Sequence, residues 1–378
     1  MTRPTIPTPR PRAAQGPPRS GPGLLGRGLS RRTLFRGFGA GVLAVAGAGA
    51  LASCGASGGS GGGTDGGGEA SLGEVTYISF LPFETLSFAA EMLAMAAGHD
   101  ATHGIDLGYE VARGTSPSLQ AMIAGAGLVA RCNTVDLAMA RAQGQDVVNI
   151  ATIARGPAQR INFSKERPIT AAEDMVGMTI GIPSEGGSTE NNLRLTLENA
   201  GVDSEQVNLQ VVTDNPASWE MIRRGQIDGY ISSPDQSFLL LDMQAGADAI
   251  VLGDLSPVIS DRQYFVTTDQ HIQEKPDQLR AFLASLQDSV TFMVDDADRT
   301  KTLQALREEN SFASLDNDAV ARSALDVQVQ NFVNDEEPDP LVTDEEIWLA
   351  SIEELVATGR IEPVEAPESW MTNDLLNA

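Results

Sequence analysis

The chain has 378 residues, 42% hydrophobic and 20% charged, which excludes a polytopic membrane protein, a collagen-like chain and a wholly disordered one. Its formal charge is −25, yet the first 53 residues hold eight arginines and no acid, leaving 18 basic against 51 acidic side chains in the remainder, a net of −33. A body that acidic repels phosphate backbones and anionic lipid, so nucleic acid is not an expected partner.

The basic segment has an internal order. Ser30-Arg31-Arg32-Thr33-Leu34-Phe35-Arg36 resembles a twin-arginine export signal. A weakly apolar run over 37–53 follows, too short for a permanent membrane span. It ends in Leu51-Ala52-Ser53-Cys54-Gly55, which resembles a lipobox, where small residues admit the peptidase and the Cys54 thiol receives a diacylglyceryl group. Residues 1–53 therefore read as a signal peptide and 54–72 as a Gly/Ser-rich tether that can bury no apolar surface. The reading places the folded part outside the cytoplasm, touching the cell membrane through a lipid anchor only. With Cys54 lipidated, Cys132 has no partner for an intrachain disulfide.

After the tether, apolar runs predict a strand over 75–80, a turn at Leu81-Pro82-Phe83-Glu84 and a helix over 86–97. Strands follow over 107–111, 128–131 and 147–153, with helices over 116–124, started by Ser116-Pro117, and 135–143 between them. The pattern then restarts. A strand over 178–182 leads through Gly186-Gly187 into a helix over 188–200 that Gly201 ends in the left-handed region. Strands over 207–212, 227–231 and 249–252 alternate with helices over 216–224 and 233–245. Beyond a strand over 264–267 the chain turns helical, over 276–295, 298–308, 318–331 and 343–357.

Two successive α/β units with a helical C-terminal region predict two lobes, each a parallel-rich sheet flanked by helices. One lobe is expected to comprise 73–160 and 265–378, the other 161–264 with the crossover strands. Ligands in open α/β sheets bind beyond the carboxyl ends of the strands, so facing lobes should share one cleft.

Several segments carry a family resemblance. Gly98-His99 through Gly104-Ile105-Asp106-Leu107, Asp174-Met175-Val176-Gly177 through Ile180-Gly181-Ile182, Gly201-Val202-Asp203 and Gly225-Gln226-Ile227-Asp228-Gly229 are similar, in order and spacing, to signatures of ABC-importer substrate-binding proteins for sulfonates, taurine, nitrate and thiamine-type pyrimidine precursors. The resemblance covers about residues 74–295. It implies a type II periplasmic-binding-protein fold that captures a small organic solute, such as a sulfonate or a pyrimidine precursor, between its lobes. It also implies a monomer that serves a permease and its ATPase. Two departures stand out. Gly125-Ala126-Gly127 through Cys132 replaces the family's Gly-x-Val-Asp element, and the Cys-rich motif of the yeast-type pyrimidine synthases is absent.

The cleft chemistry reads as follows. Gly186, Gly187, Ser188 and Thr189 lie between a strand end and a helix start, where unpaired N–H groups and a hydroxyl can meet a ligand. Asn133, Thr134 and Ser233 occupy equivalent strand ends, as helix caps or ligand contacts. Phe83 and Tyr264 are aromatics in the first loop and a crossover, with Phe83 expected to be partly exposed; Glu84 and Asp235 are acceptors suited to an amine or ring N–H. Arg155 and Arg160, just past a strand end, could supply positive charge for an anion, though they read first as surface residues. His99 and His103 stand i, i+4 without the further ligands a structural zinc needs. No catalytic constellation and no cofactor site emerges. An exported enzyme acting on a pyrimidine-like heterocycle and a ligand-sensing lipoprotein are the alternative readings.

Overall fold

The computed structural model describes residues 71–376; the paired arginines, the apolar run, Cys54 and the glycine-rich stretch of the tether lie outside the described residues. The described chain carries strands β1 (Gly73–Ser79), β2 (Ile105–Val111), β3 (Val129–Asn133), β4 (Val148–Ala154), β5 (Arg160–Ser164), β6 (Thr179–Ile182), β7 (Asn208–Val211), β8 (Gly229–Ser232), β9 (Ala247–Val251) and β10 (Gln263–Thr267). They form two five-stranded sheets, ordered β2-β1-β3-β10-β4 and β7-β6-β8-β5-β9.

In the first sheet β1 runs parallel to β2 and β3, with Val75 opposite Leu107 and Tyr77 opposite Val129. In the second, β6 runs parallel to β7 and β8. Each sheet also holds one antiparallel strand: β10 between β3 and β4, and β5 between β8 and β9. These two strands follow directly on passages from the opposite sheet. No strand–helix–strand crossover therefore fixes their direction as it does for their neighbours.

Local sequence explains the layers. Helix Pro276–Asp295 starts with proline, whose missing N–H is no loss there, and buries Leu279, Phe282, Leu286, Val290 and Met293 at helical spacing. That stripe packs on helix Ala89–Ala96, in which every residue but Met95 is buried because small alanines let it lie between sheet and helix. Tyr77 and Phe265 of the sheet meet Phe282 at 6.4 and 5.3 Å between ring centroids. The second sheet has its own core of Ile161, Ile180, Ile182, Leu193, Leu197 and Ile231.

Gly201 (φ 80°) does close helix Ser188–Asn199 in the left-handed region. The last helix starts later than read, at Glu345, because the Asp344 carboxylate accepts from the Ile347 N–H and so fixes the start. Helices His99–Thr102, Asp269–Glu274 and Ala313–Asp316 are absent from the sequence reading, being too short to show a period. Among the described residues no helix is long and apolar enough to cross a membrane.

Candidate functional site

The carboxyl ends of strands from both sheets and the two passages between them border a cavity of about 50 Å³. Phe80, Ser87, Phe88 and Arg131 face it from one side, Ser188, Thr189, Asp214 and Ser233 from the other, and Gln159, Asp261 and Gln263 from the passages. Among the described residues Arg131 is the only cation bordering it, and Asp214 and Asp261 are the only acids.

The cation is already engaged. Arg131 Nη1 donates to Glu91 Oε1 at 2.9 Å and to the Ser87 carbonyl at 2.9 Å, and Nε donates to Gln263 Oε1 at 2.7 Å. The acids are less committed. Asp261 accepts from Asn192 Nδ2 at 2.6 Å through one oxygen, and Asp214 accepts from the Ser233 N–H at 3.1 Å through one. Burial, helped by Glu354, pushes the Asp261 carboxyl up to about 7; burial, helped by Asp235, does the same to Asp214. Gln159 Oε1 and Ser233 Oγ are buried without a hydrogen-bond partner. Beside the Arg131 Nη2 donors and the Ser233 hydroxyl, the cavity offers acceptors in Gln159 Oε1 and the carboxylates of Asp214 and Asp261.

Two reciprocal clasps join the lobes beside the cavity. Asp136, in the first turn of helix Thr134–Ala142, accepts from Ser188 Oγ at 2.5 Å and Asn191 Nδ2 at 2.6 Å across the cleft. Asp235, in the first turn of helix Pro234–Met243, accepts from Thr85 Oγ1 at 2.7 Å and Ser314 Oγ at 2.6 Å in the opposite direction. Each bond to a carboxylate contributes about 1.5–3 kcal/mol. Thr85→Val combined with Ser188→Ala removes one donor from each clasp. The expected outcome is a larger radius of gyration in small-angle X-ray scattering with an unchanged far-UV spectrum. An unaltered radius would show that packing alone holds the lobes together.

Of the residues singled out in the sequence, Ser188, Thr189 and Ser233 border the cavity. Thr189 Oγ1 accepts from Gln159 Nε2 at 2.8 Å. Asn133 stands behind them: its Oδ1 caps helix Thr134–Ala142 at the Asp136 N–H, and its Nδ2 donates to Asn192 Oδ1 at 2.9 Å. Thr134 donates to the Ser260 carbonyl at 2.8 Å, and Tyr264 is buried edge-on against Trp348. Gly186 is left-handed (φ 65°), and Gly187 is the extended residue before the helix. Glu84 is exposed, and Asp235 is spent in its clasp.

Phe83 is a correction. It is buried, stacked on Tyr109 with ring centroids 4.0 Å apart, because the turn folds back over the first lobe's core. Arg155 is likewise buried, its guanidinium donating to the Phe332 and Asp339 carbonyls, and Arg160 is half-buried over the Phe238 ring. His103 pairs with Asp288 at 2.7 Å and His99 with Ser289 at 2.9 Å. Among the described residues no group of three His, Cys, Asp or Glu is placed to hold a metal.

The family model described as NMT1/THI5 like matches residues 86–300, more than half of the chain. The chain belongs to the NMT1/THI5-like family. Within that family-matched chain, similarity to the formylaminopyrimidine-binding protein of Halalkalibacterium halodurans is 30% identity over 120 residues, covering 32% of this chain and 36% of that protein. The NMT1/THI5-like chain also superposes on a protein of Bordetella bronchiseptica RB50 (TM-score 0.65, 18% identity, 80% of this chain and 96% of that one). The alkanesulfonate-binding protein SsuA of Xanthomonas axonopodis pv. citri, bound to MOPS, gives a TM-score of 0.61 at 14% identity, covering 81% and 99%. A desulfurization enzyme shares the architecture at TM-score 0.54 and 14% identity, covering 80% and 97%. The fold of this NMT1/THI5-like chain is thus the two-lobed periplasmic-binding-protein fold.

Sequence reasoning passed over Arg131, Glu91, Gln159, Asp214 and Asp261. A signal for the first two was present: each is a lone charge inside an apolar segment, where an unpaired ion is costly and a partner is required. The two acids sit in irregular loops, which carry no period to mark them.

Proposed function

We propose that this chain is an extracytoplasmic solute-binding protein of an ABC importer, and that its solute is a small heterocycle rich in N–H donors, of the formylaminopyrimidine kind. The observation carrying the choice is the cavity's charge balance: Arg131 is cancelled by Glu91, while Asp214 and Asp261 keep acceptor capacity. A sulfonate would meet net negative charge there; an amino-substituted ring would meet carboxylates, an amide oxygen and the Phe80 side chain. Closure on the solute would offer a permease and its ATPase a surface distinct from the open form.

The same reading takes 1–53 as a twin-arginine lipoprotein signal, 54–72 as tether and Cys54 as the lipidated residue that holds a monomer at the membrane. Residues 73–160 with 265–378 form one lobe and 161–264 the other. Binding is preferred to turnover on a physical ground. Cys132 is 1% exposed and burial pushes its thiol up, which disfavours the thiolate a nucleophile needs. Titration calorimetry with formylaminopyrimidine is the test: saturable heat with the compound recovered unchanged is expected. Consumption of the compound would move the reading to an enzyme, and absence of heat would remove this solute class.

A further inference from the structure

We infer that Glu91, which does not border the cavity, determines the charge class of the solute by cancelling Arg131. The inference rests on the reading of this cleft as the solute site. Arg131 lies at the cavity wall on β3 and is 2% exposed; Glu91 lies behind it on helix Ala89–Ala96 and is 1% exposed. A guanidinium at a cleft wall presents a planar fork of donors, the geometry that captures a sulfonate or carboxylate through two bonds. Here Nη1 is held by Glu91 and Ser87, Nε by Gln263, and only Nη2 is left without a protein acceptor among the described residues.

The carboxylate does more than satisfy a donor. Its Oε1 accepts from Arg131 Nη1 at 2.9 Å and its Oε2 is buried as well, so the carboxylate stands as a counter-charge against the guanidinium, away from solvent. A glutamine carbonyl could hold Nη1 equally well, without the desolvation penalty of a second ion. What glutamine could not supply is charge. From the cavity the Arg131–Glu91 pair is neutral, and Asp214 and Asp261 then make the wall acidic. An oxyanion is turned away by a residue it never touches.

Glu91→Gln preserves shape and the Oε1 acceptor while leaving the guanidinium uncompensated. With MOPS as the anionic probe, calorimetry on the full chain should show Glu91→Gln binding it roughly tenfold or more tightly than the wild type, less so at high salt. The double variant Glu91→Gln/Arg131→Gln should lose that gain. Equal MOPS affinity in wild type and folded Glu91→Gln would overturn the inference, as would a gain that persists in the double variant. Should Glu91→Gln fail to fold, Glu91→Met, apolar and of similar length, serves instead. It likewise leaves the guanidinium uncompensated and should bind MOPS more tightly than the wild type; equal affinity would overturn the role of Glu91. Formylaminopyrimidine, titrated into the wild type in the same buffer, tests the solute reading separately, since its failure to bind leaves the MOPS comparison decisive for Glu91.

Discussion

Asp261→Ala and Asp214→Ala are each expected to weaken formylaminopyrimidine binding by roughly 30-fold or more, the effect of deleting one partner of a buried charged hydrogen bond. The proton linkage supplies the sharper result. Even with the Ser233 N–H and Asn192 Nδ2 donating to them, burial pushes the Asp214 and Asp261 carboxyls up to about 7. A further donor placed against them favours the ionised form and lowers those values. The bound state then holds fewer protons than the free state near neutral pH, so binding releases protons and affinity rises from about pH 5.5 to 7.5 before levelling.

An oxyanion gives the opposite sign: it favours the protonated carboxyls, takes up protons and binds more tightly as pH falls. Calorimetry in buffers of different ionisation enthalpy reads this sign directly. Asp214→Asn/Asp261→Asn separates the protein's titration from the solute's own, because whatever pH dependence remains in it belongs to the solute. Proton uptake on binding would sink the donor-rich solute class. Unchanged linkage in the double Asn variant would remove these two acids from the site.

The physical reason these acids escaped notice in the sequence also explains what was legible. The alternation of apolar runs with glycine-ended helices is local, so the two α/β units and the helix over 276–295, with its bounds, follow from a few neighbouring residues. Ser188, Thr189 and Ser233 were legible for the same reason: each lies where a strand gives way to a helix, and the fold carries such junctions to the cleft. Phe83 shows the limit. A Pro82-Phe83-Glu84 turn looks exposed until Tyr109, a strand away, covers it. Asp235 shows another, because whether an acid faces solute or a clasp depends on Thr85 and Ser314, 150 and 79 residues distant. Arg155 is the extreme case. Its Nη1 and Nη2 donate to carbonyls of residues 332, 339 and 342, so its burial depends on a segment that sequence pattern leaves featureless.

That segment carries the largest expected loss of stability. Glu337 is 8% exposed and accepts both bonds from Arg262 Nη1, at 2.9 and 2.9 Å, while standing 3.6 Å from the Arg155 Nε. Arg262 immediately precedes β10, the return strand, and Arg155 immediately follows β4, where the chain leaves the first sheet. One carboxylate therefore fastens the C-terminal segment to both passages between the lobes. Glu337→Ala leaves the buried Arg155 and the half-buried Arg262 without their counter-charge, and stripping one partner from such a network costs about 3–5 kcal/mol. At roughly 2–4 °C per kcal/mol for a body of this size, the melting temperature should fall on the order of 10 °C. Glu220 offers the control. It pairs with Arg223 at 3.0 Å, but the two side chains are 46% and 63% exposed. Solvent screens that pair, so Glu220→Ala should move the melting temperature by no more than about 2 °C. Equal shifts for the two variants in a thermal melt would show that the junction is held by its apolar contacts, with Glu337 contributing no more than a surface charge does.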